Sequence, residues 1–225
     1  MLIFLAIMTT IVSRPYHCAD GRELNIGRWW TEPVAIAPGE HIFCGGNLPV
    51  EGKVGTGTNT CVTVNVDSCK VTPLRRVMQT ARQGVQPVCL TNGQCLLFGG
   101  NTNDATPASL RIDRLRLNNQ RLQSTSLQLS EPCMATAAAR LADGRVLITG
   151  GFGLKDPTTG KGPVLGTALL LNPQSGRKET ITMHHQRGGH SATVLPDGRV
   201  LIVGGIGDDP SGAEVFDPKR ALFDA

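Results

Sequence analysis

His190-Ser191-Ala192-Thr193-Val194-Leu195-Pro196-Asp197-Gly198-Arg199-Val200-Leu201-Ile202-Val203-Gly204-Gly205 is the stretch on which the reading of the fold turns. Asp197-Gly198 is a hairpin dipeptide whose residues tolerate positive φ, so it predicts a type I′ turn between two strands. The second strand runs from the turn to the double glycine and is apolar on successive positions. Both of its faces are therefore expected to be covered, unlike a lone antiparallel sheet with one wet face.

The same pattern recurs outward from this stretch. Double glycines stand at Gly45-Gly46, Gly99-Gly100, Gly150-Gly151 and Gly204-Gly205, at intervals of 54, 51 and 54 residues. A turn glycine precedes each pair by six residues, at Gly39, Gly93, Gly144 and Gly198, behind Pro38, Asn92, Asp143 and Asp197. The second strands read His41-Ile42-Phe43-Cys44, Cys95-Leu96-Leu97-Phe98, Val146-Leu147-Ile148-Thr149 and Val200-Leu201-Ile202-Val203. Leu147 and Leu201 are expected in the core, and Gly144 is expected to require positive φ. A polar loop and a further hairpin follow each pair, as in Thr167-Ala168-Leu169-Leu170-Leu171-Asn172, the turn Pro173-Gln174-Ser175-Gly176 and residues 177–183. Each unit is thus a four-stranded meander, and no helix longer than about two turns is expected after residue 30.

Meanders of this length, covered on both faces and repeated, are blades of a β-propeller, with a solenoid as the alternative. Residues 190–205 with Ala213-Glu214-Val215-Phe216-Asp217-Pro218 closely resemble a kelch repeat of the bacterial and galactose-oxidase-like type. Residues 134–151 repeat the match well, residues 83–100 moderately, and residues 31–46 only at their glycines and apolar run. The resemblance implies an all-β kelch propeller with blades at about 29–77, 78–132, 133–186 and 187–225, after an N-terminal segment 1–28. Kelch propellers usually close with six or seven blades, so four imply an incomplete or truncated ring. Pro33 and Pro87 share a register with Ala138 and Ala192 in the first strand. Proline cannot donate to a ladder, so that strand is expected to have one unpaired edge.

The chain has 22 basic and 18 acidic residues for a net charge of +4, with 40% apolar residues and only six Phe, two Trp and one Tyr. That is the balance of a globular protein with many short strands and turns. The longest apolar run, residues 2–12, is too short to span a bilayer. It has the length of a signal-peptide core, but no basic residue precedes it and no small-x-small site follows. A signal peptide and a strand of the fold both remain open, with a secreted or periplasmic location favoured.

Galactose oxidase implies a copper site with a tyrosyl radical, yet the one tyrosine, Tyr16, lies outside the repeats. His184, His185 and His190 stand close together, but adjacent residues of an extended segment point to opposite faces and no carboxylate or thiol is interleaved, so no metal site or cofactor is expected. His190 matches the histidine of the kelch repeat, for which the resemblance implies packing and a hydrogen bond. The seven cysteines contain no Cys-x-x-Cys pair. Buried thiols are the expected state, with Cys44 and Cys95 in the core. Disulfides between Cys61 and Cys69, or between Cys89 and a diagonally placed Cys95, are the alternative. Loops at Asn101-Thr102-Asn103-Asp104 and Asp208-Asp209 read as solvated turns. Residues 70–121 carry eight basic residues against Asp104 and Asp113, with Arg114 and Arg116 expected on a solvated face. Nucleic acid is not an expected partner, because stacking aromatics are nearly absent.

Eleven residues before the turn glycines stand Arg28, Arg82, Cys133 and Arg187. Arg82-Gln83-Gly84 and Arg187-Gly188-Gly189 are similar to the Arg-x-Gly of kelch propellers that bind acidic peptides. Two roles follow for Arg28, Arg82 and Arg187: closing each blade on neighbouring loop carbonyls, or converging at the channel mouth, with His190 beside them, on an acidic peptide or anionic small ligand. The functional expectation is a non-catalytic module that binds a protein or peptide. A carbohydrate-binding or sialic-acid-epimerase-like propeller, or a fragment of a galactose-oxidase-like protein, is the alternative.

Overall fold

The computed structural model describes residues 16–224 except 25, 27, 29, 30, 49–56, 75–77, 102–109, 118–120, 124, 126, 155, 157, 160 and 161. The apolar run 2–12, the Asn103-Asp104 turn and Arg75 and Arg76 lie outside the described residues. All regular structure among the described residues is β. A hairpin of β1 (Tyr16–His17) and β2 (Glu23–Leu24) leads into blade one, made of β3 (Pro33–Ala37), β4 (Glu40–Cys44), β5 (Cys61–Asn65) and β6 (Lys70–Leu74). Blade two comprises β7 (Gln86–Cys89), β8 (Gln94–Phe98), β9 (Ile112–Arg116) and β10 (Arg121–Gln123). Blade three comprises β11 (Ala137–Arg140), β12 (Val146–Thr149), β13 (Thr167–Leu171) and β14 (Lys178–Thr182). A short ladder of β15 (Arg187–Gly188) with β18 (Ile206–Gly207) brackets the entry to blade four, whose strands are β16 (Ser191–Val194), β17 (Val200–Val203), β19 (Ala213–Asp217) and β20 (Leu222–Asp224).

Each blade is an antiparallel meander in chain order with its first strand at one edge. The edge strands β3, β7, β11 and β16 run side by side, so the four sheets form a four-bladed β-propeller. Pro33, Pro87, Ala138 and Ala192 oppose Phe43, Leu97, Ile148 and Ile202, which places both prolines in edge strands where a missing N–H is tolerated.

The second strands alternate between two interfaces. Ile42, Leu96 and Leu147 face the following blade, and Leu97, Ile148 and Ile202 face the preceding one, which produces a core cluster at each of the three blade junctions. The rear face of blade one, with Phe43, Val62 and Val64, is covered by Cys18 and Leu24 of the N-terminal hairpin. Among the described residues, none covers the forward face of blade four in this way. Leu201, expected in the core, is consequently only half-buried, whereas Leu147 is fully buried.

The turns also differ from the sequence expectation. Gly93, Gly144 and Gly198 have φ of +72°, +85° and +88°, but Asn92, Asp143 and Asp197 do not have positive φ, as a type I′ turn requires of both central residues. In blade three the Gly144 N–H donates to the Leu141 carbonyl and the Leu141 N–H to the Arg145 carbonyl, which is a three-residue loop with a left-handed glycine. The Asp143 carboxylate accepts from the Arg145 N–H and its Nε, and Asp197 and Arg199 repeat the arrangement.

Six of the seven cysteines form disulfides, Cys18–Cys69, Cys44–Cys61 and Cys89–Cys95, and Cys133 is a buried free thiol. This overturns the expectation of buried thiols, and it moves Cys61 and Cys69 to different partners. Cys89 lies directly opposite Cys95, and Cys44 directly opposite Cys61, because the strand register rather than the turn decides who meets. Closing loops of 51, 17 and 6 residues restricts the unfolded chain by about 4, 3 and 2 kcal/mol in the chain-entropy picture. The Cys18–Cys69 link ties the N-terminal hairpin to blade one. Arg114, expected on a solvated face, is half-buried and donates to the Pro173 carbonyl of blade three.

Candidate functional site

The three arginines singled out in the sequence share one geometry. Nη1 of Arg28 donates to the Gly45 and Thr60 carbonyls at 3.0 and 2.8 Å. Nη1 of Arg82 donates to those of Gly99 and Arg111 at 2.7 and 3.2 Å, and Nη1 of Arg187 to those of Gly204 and Gly212 at 2.9 and 3.1 Å. In each case one acceptor is the first glycine of the pair and the other is the residue that leads into the third strand. The polar loop between those strands brings the two carbonyls together, and one guanidinium closes it.

Two of the three clamps carry a buried counterion. Arg82 pairs with Asp113, and Nε of Arg187 pairs with Glu214 at 3.2 Å. Asp113 and Glu214 occupy one register position, opposite Leu97 and Ile202 on the second strand. Blade one has Val62 there and satisfies Arg28 with the Thr60 hydroxyl instead. Arg28, Arg82 and Arg187 are 7%, 0% and 1% exposed. Burial lowers the Arg28 pKa to about 10 and also lowers that of Arg82, while burial raises that of Asp113. Nε of Arg28 and Arg82 and Nη2 of Arg187 have no hydrogen-bond partner.

The clamps also latch one blade to the next. The amide of the second glycine in blades one to three donates to the carbonyl of the following clamp residue, from Gly46 to Arg82 at 2.9 Å, Gly100 to Cys133 at 3.0 Å and Gly151 to Arg187 at 2.8 Å. The first glycines are pressed against the same carbonyls. A Cβ on Gly45, Gly99 or Gly150 would meet the Arg82, Cys133 or Arg187 oxygen at 2.5, 2.7 or 2.1 Å, and all eight paired glycines have positive φ. Among the described residues, Gly204 has nothing within 4 Å of that position.

The structure therefore places Arg28, Arg82 and Arg187 inside separate blades, and the three share no hydrogen-bond partner. Their position was legible from the register, but Asp113 and Glu214 were not identified. The signal was present as an acid interrupting Ile112-Asp113-Arg114-Leu115 and Ala213-Glu214-Val215-Phe216 at the position opposite the middle of the second strand.

His190 is buried at the junction of blades three and four, with Nε2 at 2.7 Å from the Thr149 hydroxyl and Nδ1 without a partner. Burial, reinforced by the Arg187 charge, depresses its pKa to about 4, so the ring is neutral at neutral pH. His184 points to the Phe223 carbonyl and its amide donates to Glu214, while His185 faces Asp208 and Asp209, so the neighbouring histidines do not converge. Among the described residues, the one grouping of possible metal ligands is Cys18, Asp20 and Cys69, whose two sulfurs are joined to each other.

The forward face of blade four exposes apolar side chains from neighbouring strands. Val203 and Leu222 are 40% and 37% exposed, beside half-buried Leu201 and Val215. No protein-family model matches the chain, and no curated protein matches its sequence.

Proposed function

We propose that the chain is a non-catalytic interaction module of the kelch-repeat propeller type, and that it engages a protein partner through the forward face of blade four. The observation that carries this reading is the contrast along the arc. Val203 stands where Cys44, Phe98 and Thr149 are fully buried by a following sheet, yet it is 40% exposed. An apolar sheet face of this kind is stabilised by a second apolar sheet about 10 Å away, as at the three junctions within the chain. The occupant we assign is blade four of a second copy. The rear face of blade one, which would complement it head to tail, is covered by the disulfide-tied hairpin, and this favours pairing of two copies about a two-fold axis.

The anionic-ligand reading of Arg28, Arg82 and Arg187 has less support, because their donors are occupied by carbonyls and carboxylates. The three disulfides support an oxidising compartment. Sedimentation equilibrium of the whole chain is expected to show a concentration-dependent dimer, and Val203→Lys is expected to be monomeric with unchanged far-UV circular dichroism. A wild type that stays monomeric up to about 100 μM, weaker than specific association requires, overturns the assignment.

A further inference from the structure

Blade three departs from the other blades at the clamp. Cys133 stands where Arg28, Arg82 and Arg187 stand, and Leu169 stands where Asp113 and Glu214 stand. The loop is nevertheless closed in the same way. The Gly150 N–H donates to the Thr167 carbonyl at 2.9 Å, as Gly45 does to Thr60 at 3.0 Å. The Gly150 and Thr167 carbonyls thus occupy the positions of the acceptors that hold a guanidinium in the other three blades.

The space left by the shorter side chain is a cavity of roughly 30 Å³, lined by Glu131, Cys133, Gly150 and Thr167 with Leu129 and Leu169. That volume admits about two water-sized groups. Glu131 brings a carboxylate to the cavity from the segment before Cys133, and the Thr167 hydroxyl donates to it. Negative charge is therefore retained although the third-strand acid has become leucine. Ser130 and Thr180 also line the cavity and are exposed, which places its opening at the outer surface of the blade. Burial and the Glu131 charge push the Cys133 thiol up to about 12, so the cavity wall carries no competing thiolate.

We propose that this cavity takes the planar head of an alkylguanidinium group, the cation entering between the Glu131 carboxylate and the Gly150 and Thr167 carbonyls, with its alkyl arm leaving past Ser130 and Thr180 toward solvent. The cation takes up the acceptors that arginine takes up from within the chain in blades one, two and four. A planar fork of N–H donors suits two carbonyls and a carboxylate, whereas a compact ammonium serves fewer of them at once. The group is presented either by a small amine-derived molecule or by an arginine side chain of a peptide.

Isothermal titration of the whole chain with n-propylguanidinium is expected to show saturable binding, with n-propylurea, the neutral analogue of similar shape, binding at least tenfold more weakly. Glu131→Gln is expected to weaken n-propylguanidinium at least tenfold. Cys133→Arg supplies the cation from inside and is expected to abolish the binding, and Cys133→Met, which fills the space with an apolar chain, serves the same purpose if the arginine variant does not fold. The tripeptide Ala-Arg-Ala separates the sources, since its binding at comparable strength supports a peptide arginine, and binding of n-propylguanidinium alone supports a small molecule. Absence of saturable binding by both, or binding unchanged in Cys133→Arg or Cys133→Met, overturns the proposal.

Discussion

Leu147 and Leu201 stand three residues before their glycine pairs, in strands that read almost alike, yet Leu147 is fully buried and Leu201 is half-exposed. The same difference separates Gly150, crowded by the Arg187 carbonyl at 2.1 Å, from Gly204, which has open space. A blade in this arc buries its rear face by its own place in the chain, but its forward face is buried only by what comes next. The hydrophobic stabilisation belongs to the junction and not to the strand.

The largest effect is expected at the clamps, where blades one and two differ by a counterion. Arg82→Ala leaves Asp113 buried without its cation and is expected to cost about 4 kcal/mol in urea unfolding, whereas Arg28→Ala strands no acid and is expected to cost about half of that. Equal losses would mean that the Asp113 carboxylate contributes nothing to the difference.

At the core positions, Leu147→Ala is expected to cost about 3 kcal/mol and Leu201→Ala less than about 1.5 kcal/mol in the monomer. Equal costs would break the contrast between the covered and the open face.

The seam between blades three and four adds a pH dependence. His190 titrates near 6.5 when unfolded and near 4 when folded, so below pH 6.5 the unfolded chain binds the extra proton. Stability is retained above pH 6.5 and is lost as pH falls toward 4, by about 2 kcal/mol at pH 5. Replacing His190 with Gln is expected to flatten that part of the profile, read by thermal melts between pH 4 and 7.

The smallest effect is expected at Gly204. Alanine there meets no atom but must adopt the +73° φ, a cost of about 1 kcal/mol, and Gly150→Ala is expected to cost clearly more because the Arg187 oxygen must also move. Equal melting temperatures for the two variants would remove the crowding argument.

Much of the fold was legible because its signals are local. Glycines that need positive φ, apolar runs that end at them and prolines confined to one register mark the strands and the unpaired edge. The turn type was not legible, since Asp-Gly serves both a two-residue and a three-residue hairpin loop and only the observed backbone separates them. The arginine positions followed from the register. Their partners did not, because Asp113 and Glu214 lie 31 and 27 residues downstream and their side is settled only when the third strand pairs with the second.

The amino-acid sequence by itself determined the all-β class, the repeat length, the strand order within each blade and the departure of Cys133 from the arginine series, since each depends on residues close together in the chain. The tertiary structure alone decided the disulfide partners, the burial of the clamp ions, the cavity in blade three and the open face of blade four. Those properties arise where segments far apart in sequence come within a few ångströms of one another, and whether a side chain there meets a sulfur, a carbonyl, another sheet or solvent depends on the register and neighbour it acquires on folding.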